Sequence, residues 1–190
     1  MTTAPKIIFL DVDGPMVPGR GRMLLGNSFL KFGWTFDPIA VSMLNFVYWA
    51  MPDVQIVVAS HRLTDPRMRS PFDDVTDPHC EEFWAKLLEE SGIAIPLHED
   101  WHTPRKKFVP RPKHVEISEW LAAHPETKRF VTVEDDLNGG DTVTDRMRKQ
   151  FHLVGEDYDN GLSWRDFKLM CSYMGLTLTR DKYTEWSMTA

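Results

Sequence analysis

Two aspartates near the start of the chain, Asp11 and Asp13, follow directly on the apolar run Ile7 to Leu10 and precede Gly14. Residues two apart on an extended segment point the same way, so their carboxylates are expected to converge while Val12 turns into the core. Carboxylates that close repel unless one takes a proton or both face a cation. A hard divalent metal with oxygen ligands, magnesium first, resolves the conflict. Ser60 follows a second apolar run, Val54 to Ala59, and Glu134, Asp135 and Asp136 follow a third, Phe130 to Val133. Asp135 is placed to add a further carboxylate. Lys113 falls in the first turn of a predicted helix, where a cation opposes the positive end of the dipole and invites an anion. Its ammonium, the Ser60 hydroxyl and the amides of that helix start form an expected phosphate cradle. Singly, each has a blander reading: aspartates after strands cap helices or form turns, and lone lysines are usually solvated. Their recurrence at several strand ends outweighs it.

Ligand crevices of open parallel sheets lie at the carboxyl ends of the strands, so these residues require strands of one sheet beneath them. Apolar runs at Ile7 to Leu10, Val54 to Ala59, Ile93 to Leu97, Phe130 to Val133 and Phe151 to Val154 do not alternate with polar residues. They fit strands buried on both faces. Between them, helical spacing starts at Asp37-Pro38 and stops at Pro52, starts again at Asp77-Pro78 and ends at Ser91-Gly92, and runs a third time from Pro112 to before Pro125. Ser163 with Asp166 predicts a capped helix to Gly175. The alternation gives an α/β fold, Rossmann-like, with a mostly parallel five-stranded sheet. Residues 1–162 are expected to form the catalytic domain, with 163–190 as a helix and tail packed on it.

Composition bounds the rest. The chain has 190 residues, 42% of them hydrophobic, and a net charge of −6 from 22 basic and 28 acidic side chains. With a mean hydropathy of −0.35 and apolar runs far below the roughly 20 residues of a membrane span, no membrane association is expected. The first residues carry no secretion pattern, which sets the expectation of a cytoplasmic protein. Cys80 and Cys171 are read as two reduced thiols. The acidic balance argues against non-specific coating of nucleic acid.

The order of these pieces resembles the haloacid dehalogenase (HAD) superfamily of phosphatases. Its four motifs match Ile7-Ile8-Phe9-Leu10-Asp11-Val12-Asp13-Gly14, then Ile56-Val57-Val58-Ala59-Ser60, then Lys113, then Val131-Thr132-Val133-Glu134-Asp135-Asp136. The tract Arg111-Pro112-Lys113-His114-Val115-Glu116-Ile117-Ser118-Glu119-Trp120-Leu121, with Thr103-Pro104 ahead of it, is similar to the HAD domain of Swiss Army Knife RNA repair proteins. The resemblance implies that Asp11 attacks phosphorus to give an aspartyl phosphate and that Asp13 serves as acid and then base. It implies a magnesium ion held by Asp11, the Asp13 carbonyl and Asp135, with Glu134 and Asp136 as candidate additional ligands, and phosphoryl oxygens bound by Ser60 and Lys113. Gly14, His61 and Arg62 are expected to meet substrate; His61-Arg62 stand where the subgroup has a tryptophan nearby, and Pro15 replaces a commoner threonine or aliphatic. A flap over Met16 to Trp34 and an insert over Thr64 to Thr76 leave room only for a minimal cap. A small cap leaves the site open, which in the family goes with larger substrates such as nucleic-acid ends or proteins, so the resemblance implies a nucleotide or nucleic-acid terminal phosphate as the partner; no obligate protein partner is evident.

A rival is literal in the sequence: His98-Glu99-Asp100-Trp101-His102 reads H-E-x-x-H, the zinc metalloprotease signature, which needs both histidines on one helical face. Pro96 and Pro104 leave about two turns at most, and a strand pattern runs into it, so chance is favoured. A catalytically silent HAD-like binding protein is the other alternative, weakened by two acids that binding alone does not need. A phosphoreceiver keeps its acids on different strands, and a D-x-D glycosyltransferase lacks the serine and lysine order.

Overall fold

The apolar runs at Ile7 and Val54 become adjacent parallel strands, paired from Lys6 with Val54 to Leu10 with Val58. In the computed structural model, which describes residues 5–19, 36–60, 78–104 and 111–189, the strands are β1 (Lys6–Leu10), β2 (Val54–Val58), β3 (Leu97–His102), β4 (Phe130–Val133) and β5 (Leu153–Val154). They form one sheet in the order β3-β2-β1-β4-β5, every pairing parallel. The helices are α1 (Pro38–Ala50), α2 (Pro78–Glu90), α3 (Lys113–Ala123), α4 (Asp145–Gln150), α5 (Trp164–Met174) and α6 (Arg180–Thr189). This is the α/β Rossmann-like architecture expected of the sequence.

The pleat divides the strand side chains between two cores. Ile8 and Leu10 face a core with Val54, Ile56, Val58, Leu44 and Phe167, beneath α1, α2 and α5. Ile7 and Phe9 face the other, with Val57, Ile117, Trp120 and Leu153, beneath α3. Burial on both faces explains why these runs lack alternation. Phe9 meets Trp120 edge-on at 5.3 Å, which seats α3 on the middle of the sheet.

The helix ends follow their sequence signals. The Asp37 side chain accepts from Ile39 N and Pro38 opens α1; Ser163 and Asp166 form a reciprocal capping box, and α5 stops at Gly175 in the left-handed region at φ 74.

Three departures are corrections. The third strand lies at Leu97–His102 rather than at residues 93–97; Ile93 and Ile95 are buried but irregular. β3 is an edge strand whose register slips between Ile56 and Val58, so its pattern is polar where full burial was expected. The run at Phe151 shortens to a two-residue β5, and α4 and α6 were not foreseen. α4 buries no side chain and α6 has no apolar stripe. The H-E-x-x-H run lies in β3, so the two histidines share no helical turn and the protease geometry is absent.

Among the described residues, no helix is long and apolar enough to cross a membrane. His61, Arg62 and the insert over 64–76 lie outside the described residues, as does most of the flap over 16–34.

Candidate active site

At the carboxyl end of the sheet each strand hands its chain to a neighbour through one more hydrogen bond. Asp11 N donates to Val133 O at 2.9 Å, Ala59 N to Leu10 O at 2.9 Å, Thr103 N to Val58 O at 3.1 Å and Glu134 N to Val154 O at 3.0 Å. Asp11, Ser60, Thr103 and Glu134 therefore stand on one fixed edge, all buried. Lys113 enters from the first turn of α3 with its side chain 3% exposed, its Nζ 2.7 Å from Asp11 Oδ2 and 2.5 Å from Glu134 Oε2. The anions that a cation at this helix start invites are thus supplied by the chain itself.

Burial alone would neutralise Lys113, but the Asp11 and Glu134 charges and their hydrogen bonds prevail and raise its pKa, so it stays an ammonium. The acids show the reverse strain. Burial pushes the Glu134 carboxyl well up, the nearby Asp11 charge adds to it, and Lys113 opposes both. Asp135 is pushed up to about 7, by burial first and by Asp11 second. One ammonium does not balance this concentration of carboxylates.

A carboxylate oxygen from each of Asp11, Glu134 and Asp135 lies within 4.8 Å of the other two. Asp11 Oδ1 is buried without a hydrogen-bond partner, although Oδ2 is held by Lys113. A buried carboxylate oxygen left bare is costly, and all-oxygen donors with surplus negative charge suit a hard divalent cation. The residues fit magnesium.

Sequence reasoning set Asp13 beside Asp11 and kept Glu134 as a candidate additional ligand; the structure brings Glu134 together with Asp11 and Asp135. β1 ends at Leu10, so the pleat of the strand does not reach Asp13. It is half-buried and outside the three-carboxylate group, at an isolated bridge with Val17. The turn is closed by Met16 N and Val17 N, both donating to Val12 O. Val12 is buried as expected. Glu134 also accepts Asp136 N through Oε1 at 2.8 Å, while the Asp136 side chain accepts Gly140 N and stays out of the carboxylate group. Gly14 does not merely permit a turn at φ +76: a Cβ there would stand 2.5 Å from Asp135 Cγ.

The helix-start cradle is narrower than expected. Pro112 supplies no side-chain cap to α3, but His114 N already donates to Leu137 O and Val115 N to Pro112 O. Two of the first-turn amides are therefore engaged. A polar contact that sequence reasoning did not assign joins the end of β3 to α3: Thr103 Oγ1 donates to Glu116 Oε2 at 3.3 Å, both residues buried. Its signal was Thr103 just past β3 and a glutamate one turn beyond Lys113.

His98 has a structural task. Its Nδ1 accepts Asp100 N at 3.0 Å, and its ring lies against Trp120 and His124. Trp120 Nε1 donates to Asp100 O at 2.9 Å, so both backbone groups of Asp100 on this edge strand are occupied.

The family model described as "HAD domain in Swiss Army Knife RNA repair proteins" matches residues 7–167. No curated protein and no solved structure matches the chain.

Proposed function

The chain belongs to the family of HAD domains in Swiss Army Knife RNA repair proteins, and from that premise we propose that it is a magnesium-dependent phosphomonoester hydrolase acting on a nucleotide or nucleic-acid terminal phosphate. The observation that carries the reading is Asp11: a buried carboxylate with Oδ2 held by Lys113 and Oδ1 bare. Such an oxygen is oriented and poorly solvated, as a nucleophile requires.

The Asp11 carboxylate attacks phosphorus as the bond to the leaving oxygen breaks, and Asp13 gives that oxygen its proton. Asp13 then takes a proton from water, whose oxygen displaces Asp11 and releases inorganic phosphate. The same acid serves both steps because the first leaves it deprotonated for the second. Lys113 stays charged throughout and, with the Ser60 hydroxyl, binds phosphoryl oxygens as charge redistributes. Asp11, Asp135 and the Asp13 carbonyl would hold magnesium, whose charge offsets repulsion between nucleophile and phosphate. Asp135 is chosen over its neighbours because both Glu134 oxygens and the Asp136 side chain have partners within the chain.

The test is hydrolysis of a generic aryl phosphate with and without magnesium, alongside Asp11→Asn. Turnover that needs magnesium and vanishes in Asp11→Asn, with the melting profile retained, is the expected result. Phosphate binding without turnover in the unmodified protein would instead make it a silent binding protein. A panel of 3′- and 5′-phosphorylated nucleotides and oligonucleotides against sugar phosphates and phosphopeptides then assigns the substrate.

A further inference from the structure

Half of the buried face of α3 is charged. Lys113, Glu116, Ile117 and Trp120 are its buried residues, at the i, i+3, i+4, i+7 spacing that normally carries an apolar stripe, and Glu116 is only 1% exposed. No step of the hydrolysis above uses it. Taking a carboxylate out of water is costly unless it is paired or hydrogen-bonded, so its place one turn from Lys113 calls for a task.

The contact this carboxylate makes closes a ring. Asp11 follows Leu10, which pairs with Val58 across β1 and β2. Val58 O accepts Thr103 N at 3.1 Å, and Thr103 Oγ1 donates to Glu116 Oε2 at 3.3 Å. Three residues back along α3, on the same helical face, the Lys113 ammonium returns to Asp11 Oδ2 at 2.7 Å. The nucleophile and the cation that orients it are thus joined twice, once directly and once through the sheet.

The other tethers of α3 leave that ring a role of its own. Toward β4, His114 N donates to Leu137 O at 3.2 Å. Toward β3, Trp120 Nε1 holds Asp100 O at 2.9 Å and His124 Nε2 meets Asp100 Oδ2 at 2.8 Å, but these residues begin about 10 Å along the axis from Lys113, against about 4.5 Å for Glu116. The Thr103 bond therefore acts at the first turn itself. A lysine reaches its target on four flexible carbons, so where its ammonium rests depends on where that turn is held. Arg111 is also in range of the carboxylate: its pKa is raised by the Glu119 hydrogen bond first and by the Glu116 charge last.

We propose that, granted the phosphatase reading above, Glu116 is a positioning residue: bonded to Thr103, it registers the first turn of α3 against the end of β3 and so sets the Lys113 ammonium on Asp11. Neither Glu116 nor Thr103 touches the reacting atoms.

The experiment uses the full chain, magnesium and an aryl phosphate, with Glu116→Met, Glu116→Gln and Thr103→Val/Glu116→Met. Replacing both partners of a buried hydrogen bond by apolar groups of similar shape can be nearly neutral for stability, so the double variant keeps a folded protein in hand. Glu116→Met and the double variant are expected to lose at least about tenfold in kcat with KM within about twofold, because Lys113 is displaced from charge that develops in the transition state. Glu116→Gln keeps an acceptor for Thr103 and should restore most of the loss. A second readout needs no turnover: the Lys113 Nζ signal in NMR spectra of metal-free protein carrying 15N-lysine, identified by its absence in Lys113→Arg. It should shift or broaden away in Glu116→Met and in the double variant, and stand in Glu116→Gln. An unmoved signal in Glu116→Met, an unchanged kcat there with only the Tm lowered, or a Glu116→Gln variant as impaired as Glu116→Met, as follows if the carboxylate serves Arg111 instead, would each overturn the proposal. If the signal moves as expected but the unmodified chain hydrolyses no phosphate monoester, the positioning stands and the phosphatase reading falls.

Discussion

Lys113 is the counter-charge on which Asp11 and Glu134 both depend, so its removal strands two buried carboxylates. Breaking a buried pair from one side typically costs about 3–5 kcal/mol, and Lys113→Met is expected to lose stability of that order in urea titrations at pH 8. The sign with pH is set by Glu134, whose folded pKa is raised above the ordinary 4.5. A raised acid binds its proton more readily folded than unfolded, so the variant should regain stability as pH falls toward 4.5. Asp135 gives a gentler version. Its carboxyl, pushed up to about 7, opposes folding progressively as pH rises from the ordinary 3.8 through that value, and Asp135→Asn should raise the metal-free Tm at pH 8 by about 2 °C, with a smaller gain at pH 5. Asp11, Ser60 and Lys113 could be read from residue type and order alone. That Glu134 rather than Asp13 completes the carboxylate group with Asp11 and Asp135 could not, because it depends on how the chain turns once β1 has stopped at Leu10.

Elements with a buried face declared themselves through their apolar content, and those without one did not. β1, β2 and β4 are interior strands and α1, α2, α3 and α5 carry caps or stripes, so their bounds were legible to within a few residues. β3 was misplaced because an edge strand of sequence LHEDWH shows no apolar run, and α4 and α6 were silent for the same reason. The β3 edge also makes a pH prediction. His98 accepts Asp100 N and faces His124 and Trp120 from α3; burial first and His124 second lower its pKa below 6.5, against smaller upward pulls from Glu99 and Asp100. A histidine that resists protonation when folded loses stability to the unfolded chain as pH drops below 6.5. Thermal melts from pH 7.5 to 5.5 should therefore fall more steeply for the unmodified chain than for His98→Asn, which keeps an acceptor but cannot titrate.

For the molecule as a whole, a cation that binds only the folded site must raise the melting point by mass action. Magnesium at 100 times its dissociation constant adds about 2.7 kcal/mol, which for a chain this long is roughly 5–10 °C in Tm. Differential scanning fluorimetry should show that rise in the unmodified chain and little of it in Asp135→Asn; a rise that survives the substitution would place the cation elsewhere. The same scale gives meaning to the side chains plugging Asp100. At the β3 flank the N–H and C=O of Asp100 are already engaged by side chains, while the β5 flank is a stub of two residues. Margins so interrupted give a foreign ribbon little to pair with, which disfavours the lateral stacking through which fibrils grow.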